Sequence, residues 1–519
     1  MAKLKRLAAD IPWQIPVWIT IALAFTYVFS VSLRNLFTGS IPFWYDPARD
    51  VLLGVSNLHK WTLIGPPTGI PGIFYGPYWI WFLSVPLVFT RDPVLVILTV
   101  LTVPYFIFFP LLLTRLHKIW GFYVPWILWF LFWFSFNSYT TFLWNPHLAP
   151  LFFVLLSVLL GIKGEVPKRA MVFYVPIGFV AGLIVNFHFS FGLGVLVAVF
   201  LTQMLLSVLD ELKQKHSARK FITDLALSFF LMGLGVALAF LPTILFESRH
   251  GFNQLRALLD TAEKSLFFNS AVVGQMGLTH TQILEKLRDL PAKILSLPPQ
   301  QTIFIWAIFP VILAFSIIRK HTFFDSVGER SIFLFWIICL FSVFRIFSAS
   351  RNPIWDYHFI GVETIIILML GWAAGKSKII LVALSLWVFV LLGRNGLDYF
   401  RSFPGNPYAF PSLAGKELIV NKIYTNAGGS PFKVYAYAPA IYTYDYDYLF
   451  SWLGKNHSRS EDRSAVRIYY LIIPSTTTAI ENDFINYRTP TKDFVTVWRQ
   501  KMQDGTTIIK RVPRTSNLL

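Results

Sequence analysis

The sequence predicts an all-α polytopic membrane domain of about eleven to thirteen transmembrane helices, followed by a small extracytoplasmic α/β domain. Of the 519 residues, 55% are hydrophobic and only 14% are charged, whereas a soluble domain has about 25% charged residues. Uncharged stretches of about 20 residues, enough to cross a bilayer, also recur. They lie at 11–33, 93–114, 119–162, 170–209, 225–246 and 294–318. Two of them, 119–162 and 170–209, are each long enough for two spans.

Positive charge lies in short clusters between the apolar segments, and this spacing predicts the orientation of the chain. The clusters are at 3–6, 115–118, 163–169, 213–220, 319–320 and 376–378. Because cytoplasmic loops are enriched in Lys and Arg, we expect these clusters and the N-terminus inside a plasma membrane and the C-terminal region outside. That arrangement requires eleven crossings. The net charge of +18 follows the loops rather than one face, so we exclude nucleic acid as a partner.

Residues 74–90 complicate the count of spans. This segment is apolar but short, and it contains Pro77 and Pro86. We therefore expect a re-entrant element or one that lies at the membrane interface. A further span elsewhere is the alternative, which gives the range of eleven to thirteen.

The C-terminal region, 394–519, is too polar for the bilayer and is predicted to form the α/β domain, while residues 1–393 form the membrane domain. KVYAYA, RIYYLIIP and DFVTVW have the composition of short strands, and DG at 504–505 indicates a hairpin. Tyrosines recur at every second position in YTYDYDYLFSWLGK. The simpler interpretation is a buried strand edge followed by a helix, and the alternative is a surface for sugars or lipid headgroups.

The motif FWYDPARD, in the external loop 37–73, carries the clearest chemistry. On a helix Asp46, Arg49 and Asp50 share one face, because they are three and four residues apart. A carboxylate beside a guanidinium suits a positioned base, and a guanidinium fork suits a phosphate leaving group. We predict Asp46 and Asp50 as catalytic residues, with Asp50 orienting Arg49 or binding substrate. For the motif alone, a structural Asp–Arg pair at a helix start is the simpler explanation.

The residues that follow the motif favour the catalytic interpretation over the structural one. GPPTGIPGIFYGPYW follows it, a turn rich in Gly and Pro that enters an aromatic apolar segment. A first span, an external Asp-containing loop, such a turn and many further spans resemble the GT-C superfamily of membrane glycosyltransferases. Within it, the chain is similar to the protein-O-mannosyltransferase and aminoarabinose-transferase branch, the glycosyltransferase 39-like group. The architecture is similar over residues 1–519, and the motifs over 42–82.

This resemblance implies a GT-C fold and particular residue roles. Asp46 matches the family's catalytic base, and Arg49 matches an arginine that contacts the donor phosphate. The chain departs from the family at Pro47, which replaces an acidic residue, and at 75–77, where a lysine of some relatives is absent. Further cations are then needed at the phosphate, and the candidates are Lys60, Arg249 and Arg351.

Polar side chains flank several other spans on the same predicted outer side. Such groups are costly at membrane depth and are usually functional. The expected substrate-binding residues are Asn145, His147, His188, Glu247, His250, Asp356 and His358. Each has a structural alternative: Asn145 suits a helix cap, His188 suits an interhelical hydrogen bond, and nearby arginines suit snorkelling to the interface.

The predicted reaction transfers a sugar from a polyprenyl-phosphate donor to an acceptor hydroxyl on the extracytoplasmic face. Asp46 acts as general base, and a single displacement inverts the anomeric carbon. The expected partners are the lipid-linked donor, membrane lipids and a protein, glycan or lipid acceptor. No metal-ligand spacing is present and Cys339 is the single cysteine, so we expect no cofactor, with a divalent metal left open by the resemblance.

Two other function classes fit part of the sequence. A polytopic transporter or lipid flippase explains the spans and the polar groups. It explains neither the Asp-bearing first loop nor the external domain, and no inverted repeat is evident. An assembly or scaffold subunit with an inactive fold of the same type is the third alternative.

Overall fold

The chain folds into a bundle of long apolar helices with a small sheet-containing domain at its C-terminal end. The computed structural model describes residues 14–68, 70–116, 121, 123–136, 141–166, 170–214, 218–267, 280–303, 305–308, 324, 326–349, 356–401, 408, 412–438, 442–454 and 466–514. Within these residues, eight helices are long and apolar enough to cross a membrane. They are Trp18–Phe37, Pro93–Arg115, Asn145–Glu165, Phe189–Leu212, Arg219–Arg249, Val327–Ser348, Asp356–Lys376 and Lys378–Asp398.

Two shorter apolar helices complete the pairs that the long uncharged stretches predict. Val124–Phe136 precedes the span that begins at Asn145, and Ala170–Phe187 precedes the span that begins at Phe189. The prediction of two helices in 119–162 and two in 170–209 is therefore confirmed. Of the span expected at 294–318, residues 304 and 309–318 lie outside the described residues. The chain is a multi-pass membrane protein.

The helices Ala170–Phe187 and Ala218–Arg249 pack with their backbones in contact. A Cβ built on Gly178 would lie 2.0 Å from the Met232 carbonyl oxygen, and one built on Gly235 would lie 2.1 Å from the Val175 carbonyl oxygen. Small residues permit this close approach between membrane helices, where van der Waals packing drives association. The pairing fixes the outer end of Ala170–Phe187, which carries Asn186.

Residues 74–90 form one short helix, Tyr78–Leu87, which we call the tryptophan helix. Its ten residues extend about 15 Å, roughly half of the bilayer's hydrocarbon core. It packs against Tyr45–Asn57, the aspartate helix. Gly54 leaves room for the side chains of the tryptophan helix, because a Cβ built there would lie 2.7 Å from Leu87 Cδ1 and 3.2 Å from Leu83 Cβ. That the segment is re-entrant stays a prediction.

The described part of the connection 247–300, which we expect on the outer side, contains two helices that we did not predict, Asn253–Phe267 and His280–Ile294. We did not predict them because their composition is mostly polar and the apolar residues form only a narrow stripe on one face. In the second helix Ile283, Leu290 and Ile294 recur at helical spacing and are buried in the core. Both helices are amphipathic, so neither resembles a membrane span in a search for uncharged stretches.

The C-terminal domain contains the predicted strands. A four-stranded sheet has the order β1-β2-β4-β3, with β1 parallel to β2 and the other pairs antiparallel. The strands are β1 Phe432–Ala436, β2 Ile468–Ile473, β3 Phe494–Lys501 and β4 Thr507–Pro513. The helices of this part are Leu413–Ala427, Tyr444–Leu453 and Thr478–Arg488. The β3–β4 hairpin turns at Gly505, whose φ of +85° favours glycine.

The domain begins after the last long helix and is joined to the first external loop. That helix, Lys378–Arg401, runs through our expected boundary at 393/394. The amide of Leu413 donates to the Ile41 carbonyl at 2.9 Å, and the amide of Ala414 donates to the Gly39 carbonyl at 3.0 Å. These backbone bonds hold the C-terminal domain beside the loop that leads to Asp46.

Candidate active site

The aspartate helix begins directly after the first external turn and places Asp46 in its first turn. Trp44 precedes it in extended conformation, and Pro47 occupies an early helical position, where a missing N–H has no cost. A carboxylate is also favoured there by the helix dipole. Asp50 and Val51 are buried, whereas Asp46, one turn earlier on the same face as Asp50, stays partly exposed at the start of the helix.

Arg49 bridges the two carboxylates of the motif. Its Nη1 lies 2.8 Å from Asp46 Oδ1, while Nη2 and Nε donate to Asp50 Oδ1 at 2.7 and 2.8 Å. Asp46 is 35% exposed and Asp50 is fully buried. The predicted clustering of these three residues on one face is therefore present. Asp50 has no exposed surface and contacts Arg49, and the catalytic roles of both aspartates stay predictions.

Burial dominates the electrostatics of this cluster. It raises the pKa of Asp50 to about 6, although the Arg49 guanidinium and a hydrogen bond from Trp79 oppose the rise. Burial also tends to lower the pKa of Arg49, but the carboxylates of Asp50 and Asp46 outweigh it and give a net increase. Arg49 is thus a permanent cation, and the raised pKa allows Asp50 to gain a proton in mildly acidic solution.

The turn that precedes the tryptophan helix closes the site from a second side. The Gly65 amide donates to the Tyr75 carbonyl at 2.7 Å, and the Tyr75 amide donates to the Pro66 carbonyl at 2.9 Å. This pairing places the Tyr75 hydroxyl within hydrogen-bonding reach of Asn145 and within electrostatic range of Asp46. Burial raises the pKa of Tyr75 above its usual value, so this hydroxyl stays protonated.

Asn145, His147 and His188 are buried at the outer ends of two spans. Asn145 Nδ2 donates to the Phe187 carbonyl at 2.9 Å. His147 Nδ1 lies 2.8 Å from the Phe142 carbonyl oxygen, and His188 Nε2 lies 3.1 Å from that of Tyr357. These contacts hold the backbone between helices, as the structural alternative for His188 proposed. Their roles toward a substrate stay predictions.

Tyr357 connects these residues to the aspartate helix. Its ring lies 5.2 Å from Trp144 and 4.2 Å from His358, and its hydroxyl is within electrostatic range of Asp46. The neighbouring Asp356 forms an ion pair with Lys286 of the helix His280–Ile294. The structure thus brings the outer ends at Asn145, His188 and His358 toward Asp46.

In the described part of the chain, Lys60, Arg249 and His250 form no hydrogen bond or ion pair with Asp46, Arg49 or Asp50. Lys60 is exposed beyond the far end of the aspartate helix, roughly 16 Å of helix from Asp46. Arg249 and His250 are exposed at the end of the helix Ala218–Arg249, where His250 stacks on Phe246. Arg351 lies outside the described residues.

Glu247 is buried and caps a helix. Its Oε2 accepts from the amides of Gln254 and Leu255 at 2.9 and 3.3 Å, at the start of Asn253–Phe267. Gln254 Oε1 in turn accepts from the Phe74 amide at 2.8 Å. Glu247 therefore supports the turn that carries Tyr75, through an intermediate helix rather than by contact with the aspartate helix.

Sequence analysis did not assign Trp79 or Tyr45 to the site, and for the tyrosine repeat it favoured a buried strand edge over a surface for sugars or headgroups. The strand edge is wrong, because a helix begins at Tyr444. Trp79 Nε1 donates to Asp50 Oδ2 at 2.8 Å, and the rings of Tyr444 and Tyr45 are 5.0 Å apart. The sequence feature that could have identified Trp79 is its position just after the Gly-Pro turn at 76–77. The signal for Tyr444 was the tyrosine repeat, but nothing in the sequence showed that this repeat meets the aspartate helix.

A separate polar cavity of about 400 Å³ lies at the opposite ends of the membrane helices. It is lined by residues that include Lys163, Tyr174, Gln203 and Asp210. Lys163 and Asn145 are at opposite ends of the same span, so this cavity belongs to the other face of the protein and is remote from Asp46. Among the described residues, no group of three or more His, Cys, Asp and Glu could hold a metal ion.

The apolar helical bundle, with a small sheet domain beside the loop that carries Asp46, Arg49 and Asp50, has the GT-C type of membrane protein fold. The chain is similar to ArnT from Cupriavidus metallidurans, in a crystal structure of the apo state and in one bound to undecaprenyl phosphate. The TM-scores are 0.51 and 0.52, and each match covers 93% of this chain and 97% of that chain at 11% sequence identity. The GT-C, ArnT-like fold implied by the resemblance is thus confirmed. No family model and no curated protein matches the sequence.

Proposed function

We propose that this protein is a membrane glycosyltransferase that takes a sugar from a polyprenyl-phosphate donor and transfers it to an acceptor hydroxyl on the extracytoplasmic face. One observation carries the proposal: Arg49 is held between an accessible carboxylate, Asp46, and a buried one, Asp50. The ArnT-like fold adds support, since one of the similar structures is bound to undecaprenyl phosphate.

The geometry suits a general base beside a leaving phosphate. Asp46 gives one oxygen to Arg49, and Oδ2 has no partner among the described residues, so it is available to take the proton of an acceptor hydroxyl. The acceptor oxygen then forms a bond to the anomeric carbon while the bond from that carbon to the lipid phosphate breaks. One such displacement inverts the anomeric configuration. Donation by Arg49 to the departing phosphate stabilises the charge that develops there.

Asp50 supplies the preorganisation that this step requires. It binds two nitrogens of Arg49 with one oxygen and Trp79 with the other. A guanidinium fixed in this way needs little reorganisation when the phosphate gains charge. Arg249 and Arg351 stay candidates for a second contact with the phosphate, and Lys60 is the weakest candidate because of its distance from Asp46.

A transfer assay tests the proposal. Purified protein in lipid nanodiscs is incubated with radiolabelled polyprenyl-phosphate sugars and a cell-envelope extract. Transfer of label by the wild-type protein, and its loss in Asp46→Asn, are expected. Movement of the labelled lipid across proteoliposome membranes without any transfer would instead identify a flippase and overturn the proposal.

The orientation of the chain forms part of the proposal, with the N-terminus cytoplasmic and the C-terminal domain outside a plasma membrane. Single cysteines test it in a Cys339→Ser background. Ser56→Cys and Ser430→Cys, both at exposed positions, should react with an impermeant thiol reagent added to intact cells. Glu165→Cys, at the opposite end of its span, should stay protected. Labelling of residues 56 and 430 from different sides would contradict a shared outer face.

A further inference from the structure

We propose that Tyr45, Tyr442 and Tyr444, which we call the tyrosine cluster, bind the acceptor, and that the acceptor is therefore a carbohydrate. This inference rests on the proposed glycosyltransferase function and specifies its acceptor class. It assigns to the C-terminal domain a direct part in substrate selection, since two of the three tyrosines belong to that domain.

The three rings form a continuous aromatic surface that starts at the catalytic motif. The ring centroids of Tyr45 and Tyr444 are 5.0 Å apart, and those of Tyr442 and Tyr444 are 5.3 Å apart in a nearly parallel stack. The Tyr45 and Tyr442 centroids are 6.4 Å apart. On the inner side, the Arg49 guanidinium lies 5.6 Å from the Tyr45 centroid. On the outer side, Tyr442 is 55% exposed.

Two tyrosines of the repeat are buried and support the helix, and the other two, Tyr442 and Tyr444, are more accessible. Tyr446 and Tyr448 are buried, and Tyr448 packs 5.8 Å from Phe43 while its hydroxyl donates to the Arg91 carbonyl. Asp445, which directly precedes Tyr446, is paired with the buried Lys416. The helix Tyr444–Leu453 also packs against the aspartate helix. Tyr444 at its N-terminal end and Tyr442 just before it lie beside Tyr45.

A sugar ring matches this surface better than a peptide or the membrane interface does. One face of many pyranoses consists of C–H groups, which pack against the electron-rich face of an aromatic ring, and the hydroxyls at its edge stay in reach of polar groups. The exposed Asp447 accepts from the Thr443 hydroxyl at 3.3 Å and provides such a polar edge. A membrane anchor would instead require apolar neighbours, whereas Asp445 and Asp447 flank the tyrosines.

The position of the cluster also matches that of an acceptor. Tyr45 directly precedes Asp46, so a sugar stacked on the cluster would extend toward the base that must accept the proton of its hydroxyl. The cluster lies on the outer side of Arg49, and the proposed lipid donor approaches from the membrane. Acceptor and donor would therefore enter from different sides of the Asp46–Arg49 pair.

Binding to defined probes tests the inference without requiring turnover. Full-length protein in nanodiscs is titrated with chitotriose, maltotriose and mannotriose, and with a serine-containing peptide, by saturation-transfer NMR. We expect at least one trisaccharide to bind the wild-type protein. Tyr442→Ala and Tyr444→Ala should each weaken that binding by about ten-fold, while Tyr442→Phe, which keeps the ring, should stay within about two-fold. Tyr487→Ala removes an exposed tyrosine of the helix Thr478–Arg488 and should have no effect.

Three results would overturn the inference: no trisaccharide bound by the wild-type protein, equal binding by Tyr442→Ala, or peptide binding that depends on Tyr442. Undecaprenyl phosphate is titrated in parallel as a readout of the proposed function. Its binding should be unchanged in Tyr442→Ala and Tyr444→Ala. Trisaccharide binding together with no binding of undecaprenyl phosphate would contradict the donor assignment and leave the tyrosine cluster supported.

Discussion

The indole of Trp79 donates a 2.8 Å hydrogen bond to the buried Asp50 carboxylate, on the oxygen opposite to the one that binds Arg49. Through this bond the tryptophan helix helps to hold Asp50, and with it the Arg49 guanidinium that Asp50 binds. Asp50 is thus the junction between the Gly-Pro turn and the Asp46–Arg49 pair. This relationship explains why two motifs separated by an irregular loop act as one site.

Replacement of Trp79 tests this junction. Trp79→Phe keeps an aromatic ring but removes the donor, and a lost hydrogen bond to a charged group costs about 1.5–3 kcal/mol. Since that bond opposes the rise of the Asp50 pKa, we expect the pKa to increase further and transfer to require a higher pH. Trp81→Phe is the matched control, because Trp81 donates to the Thr62 carbonyl at 3.0 Å in the same helix. An equal shift of the pH profile in both variants would contradict the assignment.

The raised pKa of Asp50 predicts a pH dependence of activity. With a pKa of about 6, Asp50 gains a proton in mildly acidic solution and loosens its hold on Arg49. The profile of kcat/KM should therefore have an acidic limb near pH 6, and Asp50→Asn should lack that limb while transferring more slowly at neutral pH. If the acidic limb of the profile were unchanged in Asp50→Asn, the proton that causes it would bind to another group.

The stability of the folded protein should decrease as the pH rises from about 4 to about 6, whereas the activity should increase. The folded protein binds the Asp50 proton more tightly than the unfolded chain does, because the folded pKa exceeds the ordinary value of 3.8. The contribution of Asp50 to stability is therefore fully present below pH about 4 and is lost as the pH rises to about 6. Thermal unfolding in detergent across this range, compared between wild type and Asp50→Asn, measures the effect.

Asp46 is expected to be essential for transfer but not for folding. Asp46→Asn removes the proposed general base, which typically contributes about 10²–10⁴-fold to the rate. Binding of undecaprenyl phosphate and the unfolding temperature should stay close to wild type. Asp289→Asn is a close control, since Asp289 is 33% exposed and also pairs with an adjacent arginine, Arg288. Near-normal turnover in Asp46→Asn would exclude Asp46 as the base.

Arg49 is predicted to bind the donor phosphate through its fork. Arg49→Ala should weaken the binding of undecaprenyl phosphate by about 1.5–3 kcal/mol, the range for a charged hydrogen bond. Arg49→Lys keeps the charge but cannot hold a phosphate in bidentate fashion, so it should not restore full affinity. Either Arg249→Ala or Arg351→Ala should weaken binding similarly. Unchanged affinity in all of these variants, titrated in detergent, would mean that the donor is not held here.

The bundle and the Asp46–Arg49–Asp50 cluster were predictable because they depend on local patterns. Apolar runs such as 93–114 fix the spans, and i, i+3, i+4 spacing fixes one helical face. The helices Asn253–Phe267 and His280–Ile294 were not predictable in this way, because their apolar stripes are narrow. The approach of Tyr444 to Tyr45 joins residues almost 400 positions apart, and periodicity within one segment contains no information on such a contact.

A last prediction concerns Gly76, in the turn between Tyr75 and the tryptophan helix. A Cβ at this position would lie 1.7 Å from Asn186 Oδ1, an oxygen that has no hydrogen-bond partner among the described residues. Asn186 cannot easily withdraw, since its Nδ2 donates to the Gly182 carbonyl at 2.8 Å. Gly76→Ala should therefore displace Tyr75, lower transfer and cost about 1–3 kcal/mol of stability, as overpacking does.

Removal of the obstructing side chain should relieve that cost. In an Asn186→Ala background Gly76→Ala should be much less harmful than in the wild type, so that a double-mutant cycle shows a coupling between the two positions. Gly233→Ala is the control, because a Cβ there meets no atom within 4 Å. The unfolding temperature and the transfer rate of each variant are measured in detergent. Additive effects of the two substitutions would show that the cost of Gly76→Ala does not come from the close contact with Asn186.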